Sequence, residues 1–206
     1  GRNMLFLNDG TGHFTLASSF SGSGDKGYGM GVTAGDYDND GDTDVYITNV
    51  GKNTLLNNHG DGTFTDVTSI AGVGHKGWGA SATFFDMEAD GDLDLFVTNY
   101  IDWNLGIDMA CDSPLGIPDY CSPNAYNAPA RDVLYRNEGD GTFTNVSAEA
   151  GMHTAFGNGL GVVVGDIQDD GLPDIFVAND QRQNQLWMNQ GDGTFVDEAL
   201  ISGVAI

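Results

Sequence analysis

The sequence is short of positive charge. Seven lysines and arginines stand against thirty aspartates and glutamates, a formal net charge of −23. Such a surface repels phosphate backbones and anionic lipid headgroups, which argues against nucleic acid as a partner. No apolar run is long enough to cross a membrane as a helix, so membrane insertion is not expected. Histidine occurs four times, and no Gly-x-Ser-x-Gly elbow is present, so no acid, base or nucleophile stands out for catalysis. Cysteine occurs twice, as Cys111 and Cys121. With no third thiol, a local disulfide made in an oxidising compartment is the first expectation, and two reduced cysteines the alternative.

What the sequence does contain is a repeat. Four segments share one pattern: residues 5–14, 55–64, 134–143 and 186–195, each opening on leucine and closing on phenylalanine, the last three ending Gly-Asp-Gly-Thr-Phe. Phe14, Phe64, Phe143 and Phe195 fall 50, 79 and 52 residues apart, so one repeat carries about 30 extra residues. Acidic windows keep step. Asp36 to Asp44, Asp86 to Asp94 and Asp166 to Asp174 hold 5 + 5 + 4 = 14 of the thirty acidic residues. A merely solubilising surface would scatter them.

Each repeat reads as four short strands. A small, glycine-rich run such as residues 29–35, 79–85 or 159–165 suits a strand crowded near a central axis. An acidic loop follows, then a β-branched and aromatic run: Val45-Tyr46-Ile47-Thr48, Leu95-Phe96-Val97-Thr98 or Ile175-Phe176-Val177-Ala178. The third strand ends at Asn58, Asn137 or Asn189, a Gly-Asp-Gly turn reverses the chain, and the fourth begins at Thr-Phe. An all-β fold of four-stranded antiparallel blades with a period near 50 is a β-propeller. Strand content excludes helical solenoids, and the acidic pattern does not recur every nine residues as a calcium β-roll requires. The expected division is a half blade over 1–21, blades over 22–71, 72–150 and 151–206, and an insertion over 100–130. Three and a half blades fall short of the four to eight that close a ring, so the sequence is expected to be part of a larger chain or assembly. Gly1 already falls inside a repeat, so a leader and earlier repeats are expected ahead of it.

The acidic loops have the layout of a hard-cation site. Asp36, Asp38, Asp40 and Asp44 occupy positions 1, 3, 5 and 9, Gly41 supplies the turn at position 6, and Asp42 at position 7 is expected to offer its backbone carbonyl. The second copy is Asp86, Glu88, Asp90, Asp92 and Asp94; the third is Asp166, Gln168, Asp170, Leu172 and Asp174. An EF-hand needs glutamate at position 12 between helices, whereas position 12 here is Ile47, Val97 or Val177 in a strand. Zinc is disfavoured because the loops hold no histidine or cysteine, and magnesium because it demands tighter octahedral geometry. Three calcium ions are the expectation. The third site is expected to be weakest, since Gln168 brings a neutral oxygen.

Tyr28-Gly29, Trp78-Gly79 and Asn158-Gly159, each followed by its acidic loop, resemble the FG-GAP (VCBS) repeats of integrin α-subunits and bacterial secreted proteins. Asn158 departs from the aromatic of the other two copies. The insertion, with Cys111, Tyr120-Cys121-Ser122-Pro123 and then 132–137, is similar to the cartilage acidic protein and ASPIC/UnbV group. The resemblance implies a calcium-stabilised propeller that is secreted, extracellular or periplasmic, used for adhesion or assembly.

Three function classes remain: a protein-binding or assembly module, a calcium-dependent lectin, and a propeller portion of a polysaccharide-active enzyme. His13 and His59 fall in hairpin turns and His75 and His153 between blades, all four expected in solvent. Trp78 and Trp187 occupy repeat positions and are expected in the core. Antiparallel strands alternate direction, so the acidic loops and Gly-Asp-Gly turns share one face and the insertion lies on the other. Long ordered loops on rigid scaffolds carry function, so a protein or glycan partner is expected there, with Trp103, Tyr120 and Tyr126 as aromatic anchors. The alternative is an insertion that only seals a contact between blades.

Overall fold

A computed structural model describes residues 3–17 and 21–206; Gly1, Arg2 and residues 18–20 near the end of the first half blade lie outside these described residues. The leading hairpin pairs β1 (Phe6–Asn8) with β2 (Phe14–Leu16). Then follow β3 (Tyr28–Gly35), β4 (Asp44–Lys52), β5 (Thr54–Asn58) and β6 (Phe64–Asp66), paired in that order. The next blade runs through β7 (Lys76–Phe85) and β8 (Asp94–Asn99). A small hairpin of β9 (Cys111–Asp112) and β10 (Pro118–Asp119) sits within the insertion, and the blade resumes with β11 (Val133–Asn137) and β12 (Phe143–Asn145). Strands β13 (Gly159–Gly165), β14 (Asp174–Asn179), β15 (Gln185–Asn189) and β16 (Phe195–Asp197) make the last four-stranded sheet. The fold is a β-propeller array of antiparallel blades.

The repeat is copied to the level of single residues. Each first strand carries the same register shift, between Gly29 and Gly31, Gly79 and Ser81, and Gly159 and Gly161. Small residues here let neighbouring blades touch: a Cβ on Gly31 would lie 2.4 Å from the Ala80 carbonyl oxygen. Between blades the second strands and their partners interlock. Tyr46, Leu55, Val97, Tyr135 and Phe143 belong to one apolar cluster, and Phe96, Leu134, Ile175, Trp187 and Phe195 to the next. Trp187 is core as expected, 4% exposed.

Three features were not visible in the strand pattern. Strand β4 runs on past its blade, and Val50, Gly51 and Lys52 pair with Trp78, Gly77 and Lys76 of β7, so two blades share one eight-stranded sheet. Short helical turns, α1 (Thr68–Ala71), α2 (Pro123–Tyr126) and a 3₁₀ turn at Met152–Thr154, fill connections too brief to carry helical periodicity. The β9–β10 hairpin is closed by the Cys111–Cys121 disulfide, with Asp119 paired to Cys111.

Candidate metal loops and the face opposite them

Three loops between first and second strands have one hydrogen-bond frame. In the first, Asp36 accepts from the backbone N–H groups of Asp40 and Gly41 at 3.1 and 3.0 Å, and Asp40 accepts from that of Asp42 at 2.9 Å. Asp44 accepts from Tyr37 N–H on one oxygen and Asn58 N–H on the other. The second loop repeats these bonds at Asp86, Asp90 and Asp94, and the third at Asp166, Asp170 and Asp174. Position 4 takes positive φ in every copy, at Asn39, Ala89 and Asp169, and glycine takes it at position 6. Among the described residues, only Asp36, Asp38 and Asp40 bring oxygens of three acidic side chains within 4.8 Å of one another.

The copies differ in chemistry. Burial pushes the Asp44 carboxyl up to about 6, with Asp38 and Asp40 adding repulsion. Burial likewise raises Asp94 to about 7, with Glu88 adding to it, and lifts Glu88 itself above the usual carboxylate range. Clustered carboxylates that resist ionisation fit an oxygen-seeking divalent cation, which would supply the missing counter-charge. In the third loop the Gln168 amide donates to Asp170 Oδ2, which occupies one of the oxygens a cation would need. Asp42 and Asp92 turn outward: a Cβ on Gly60 or Gly139, in the neighbouring Gly-Asp-Gly turns, would crowd their carboxylates. Their side chains reach these turns rather than the loop interior. Adjacent loops also touch, since Asn39 Nδ2 donates to Asp92 Oδ1 at 2.8 Å.

The insertion lies at the other ends of the strands, among the connections between blades. Its root is closed by the Ile101–Pro129 pair and by Asp102 N–H donating to the Ala128 carbonyl. It also grips the next blade: Ala130 pairs with Gly157, Tyr100 Oη donates to Asp180 at 2.8 Å, and Ser122 and Asn124 donate to Gln181 Oε1. The three aromatic residues singled out there do not converge. Tyr120 is 98% exposed near Leu115 and Ile117, also exposed, whereas Trp103 is half-buried edge-on to Trp78 and Tyr126 is half-buried in α2.

Trp78 is not core. With Tyr100 and Trp103 it forms an aromatic cluster, ring centroids 5.5 and 6.3 Å away, and Trp78 itself lines a cavity of about 380 Å³. His75, expected in solvent, is half-buried in the same wall, and burial lowers its proton affinity so that the neutral imidazole is favoured. Sequence position gave no warning, because the register of β7 against β4 fixes how far residues 75–78 reach.

An array of four-stranded antiparallel blades, with acidic loops on one face and blade connections on the other, defines a repeat propeller. The chain belongs to the FG-GAP-like repeat family, whose pattern matches residues 1–47, 36–97, 116–177 and 166–205. Over 61 residues it is 46% identical to Cartilage acidic protein 1 of Xenopus tropicalis, a match covering 30% of this chain and 9% of that protein. Over 60 residues it is 47% identical to Cartilage acidic protein 1 of Homo sapiens, covering 29% and 9%. A lectin from Agrocybe aegerita, described as recognising non-reducing terminal N-acetylglucosamine, superposes with a TM-score of 0.48 at 18% identity over 94% of this chain and 44% of the lectin. No helix among the described residues is long and apolar enough to cross a membrane.

Proposed function

We propose that this chain is an extracytoplasmic, calcium-binding propeller module that recognises a protein or glycan partner with its insertion face rather than catalysing a reaction. One observation carries the reading: a single hydrogen-bond frame recurs in three acidic loops, and in the first of them Asp36, Asp38 and Asp40 converge. Residues 36, 38, 40 and 44 would hold one ion, 86, 88, 90 and 94 a second, and 166, 168, 170 and 174 a third, with backbone carbonyls at Asp42, Asp92 and Leu172. Each ion would fasten an acidic hairpin against its own repulsion and keep the blade edges aligned. The disulfide and the likeness to Cartilage acidic protein 1 support an oxidising, extracellular or periplasmic setting.

Calorimetric titration of the chelator-stripped protein tests this. Extracellular calcium modules bind at roughly 10⁻⁴ to 10⁻³ M, so three sites in that range are expected, and calcium raises the melting temperature. Asp40→Ala removes one site. An unchanged stoichiometry in that variant sinks the assignment.

A further inference from the structure

Positive charge is scarce in this chain and unevenly placed. Five of its seven lysines and arginines, Lys26, Lys52, Lys76, Arg131 and Arg182, lie at strand ends or connections on the insertion face. Among the described residues the only ion pairs are Arg136 with Glu138 and His13 with Asp9, so these five carry no carboxylate partner at ion-pair distance. Two of them, Lys76 and Arg131, border the cavity beside Trp78. The Arg131 guanidinium is held 4.5 Å from the Phe156 ring centre, which fixes its direction.

The rest of the cavity wall is built for a polar, ring-shaped ligand. Asn99, 1% exposed, spends its amide N–H on the Arg131 carbonyl, while its Oδ1 has no donor. Trp78 Nε1–H is likewise sealed from water with no acceptor. Asn49 and Asn179 also carry unpartnered oxygens, against Gly27 and Gly157, so the orphaned acceptor alone is a property of the repeat. Only at Asn99 do an indole, a stacked guanidinium, a lysine and the Asp102 carboxylate gather round the same cavity. A neighbouring hollow of about 580 Å³ shares Phe156 and adds Arg182, so one cation follows the next across the aromatic ridge.

We propose that this cavity binds a carboxylated sugar, a hexuronic acid unit of an acidic glycan. Its carboxylate meets Arg131 and Lys76, its ring lies against Trp78 and Phe156, and its hydroxyls donate to Asp102. A volume of about 380 Å³ admits one sugar with solvent, and the adjoining hollow takes the next. The inference rests on the insertion face being the recognition face, and it names the chemistry recognised there.

The test uses the calcium-loaded chain and two probes that differ only at C6, methyl β-glucuronide and methyl β-glucoside, followed by Trp fluorescence and ligand-observed NMR. Glucuronide is expected to bind about tenfold more tightly than glucoside, as one charge-assisted contact provides. Arg131→Gln and Lys76→Gln should each erase most of that preference with calcium stoichiometry unchanged, which separates the cavity from uronate captured by bound calcium. Equal binding of both glycosides overturns the acidic specificity. Inorganic sulfate competing as well as glucuronide reduces the site to an anion patch and overturns the sugar. Undiminished binding in both cation variants, or no binding of either glycoside, overturns the site itself. Calcium stoichiometry measured on the same samples reports independently on the proposed function.

Discussion

Asp132 offers a sharp test of how this fold treats charge. In the first and last complete blades the residue at its position is a neutral amide: Asn53 Oδ1 accepts from Asn49 N–H at 2.8 Å, and Asn184 Oδ1 from Asn179 N–H at 2.9 Å. In the middle blade Asp132 Oδ1 accepts from Asn99 N–H at 2.8 Å. Burial pushes the Asp132 carboxyl up to about 7, and this one hydrogen bond only partly offsets it. A rise from an unfolded value near 3.9 is about three units, or a ceiling of about 4 kcal/mol. Asp132 is half-buried, so solvent screening halves that to about 2 kcal/mol. The sign follows from proton counting. Between pH 4 and 7 the folded state holds a proton the unfolded state has lost, so stability falls as pH rises through that window and is flat above it.

Asp132→Asn keeps the acceptor and removes the charge. Urea unfolding in saturating calcium should find the variant about 2 kcal/mol more stable at pH 8, with the two proteins nearly equal at pH 4.5. For an unfolding slope of about 2–3 kcal/mol per molar urea, that is a midpoint shift of about 0.7–1 M. A variant less stable than the parent at pH 8, or an equal difference at both pH values, would refute the argument that burial of this carboxylate opposes folding.

Other outcomes follow from the same contacts. Gly31→Ala drives a methyl to 2.4 Å from the Ala80 carbonyl oxygen and should cost about 2–4 kcal/mol, whereas Gly161→Ala, at the same register position with nothing within 4 Å, should be nearly neutral in thermal melts. Replacing Cys111 and Cys121 by serine opens a loop worth about 2–3 kcal/mol in the chain-entropy picture. Because that loop stands outside the blade cores, the loss should appear as faster proteolysis between residues 102 and 127 with calcium stoichiometry unchanged; a collapse of the calcium-dependent melting transition would show that the insertion supports the blades.

Much of the architecture is local and could be read directly. A nine-residue acidic loop closes on its own backbone: Asp36 binds Asp40 and Gly41, and Asp61 binds the Thr63 N–H and hydroxyl within one turn, so spacing alone specifies the geometry. Alternation and β-branched runs specify strands for the same reason, and ten residues between two cysteines permit a hairpin disulfide. What sequence could not supply depends on how one blade is rotated against the next. Asn137 Nδ2 donates to the Tyr37 carbonyl and Asn189 Nδ2 to the Met87 carbonyl, bonds spanning 100 and 102 residues that exist only once blades have docked. The cavity beside Trp78 likewise draws Asn99 from the end of β8 and His75, Arg131 and Phe156 from three separate connections. The insertion clasps the following blade through Tyr100 and Ser122 while Tyr120 stands in solvent. Local spacing decides hydrogen bonds within a turn; docking angle and strand register decide which distant side chains share a wall, and only the tertiary structure carries them.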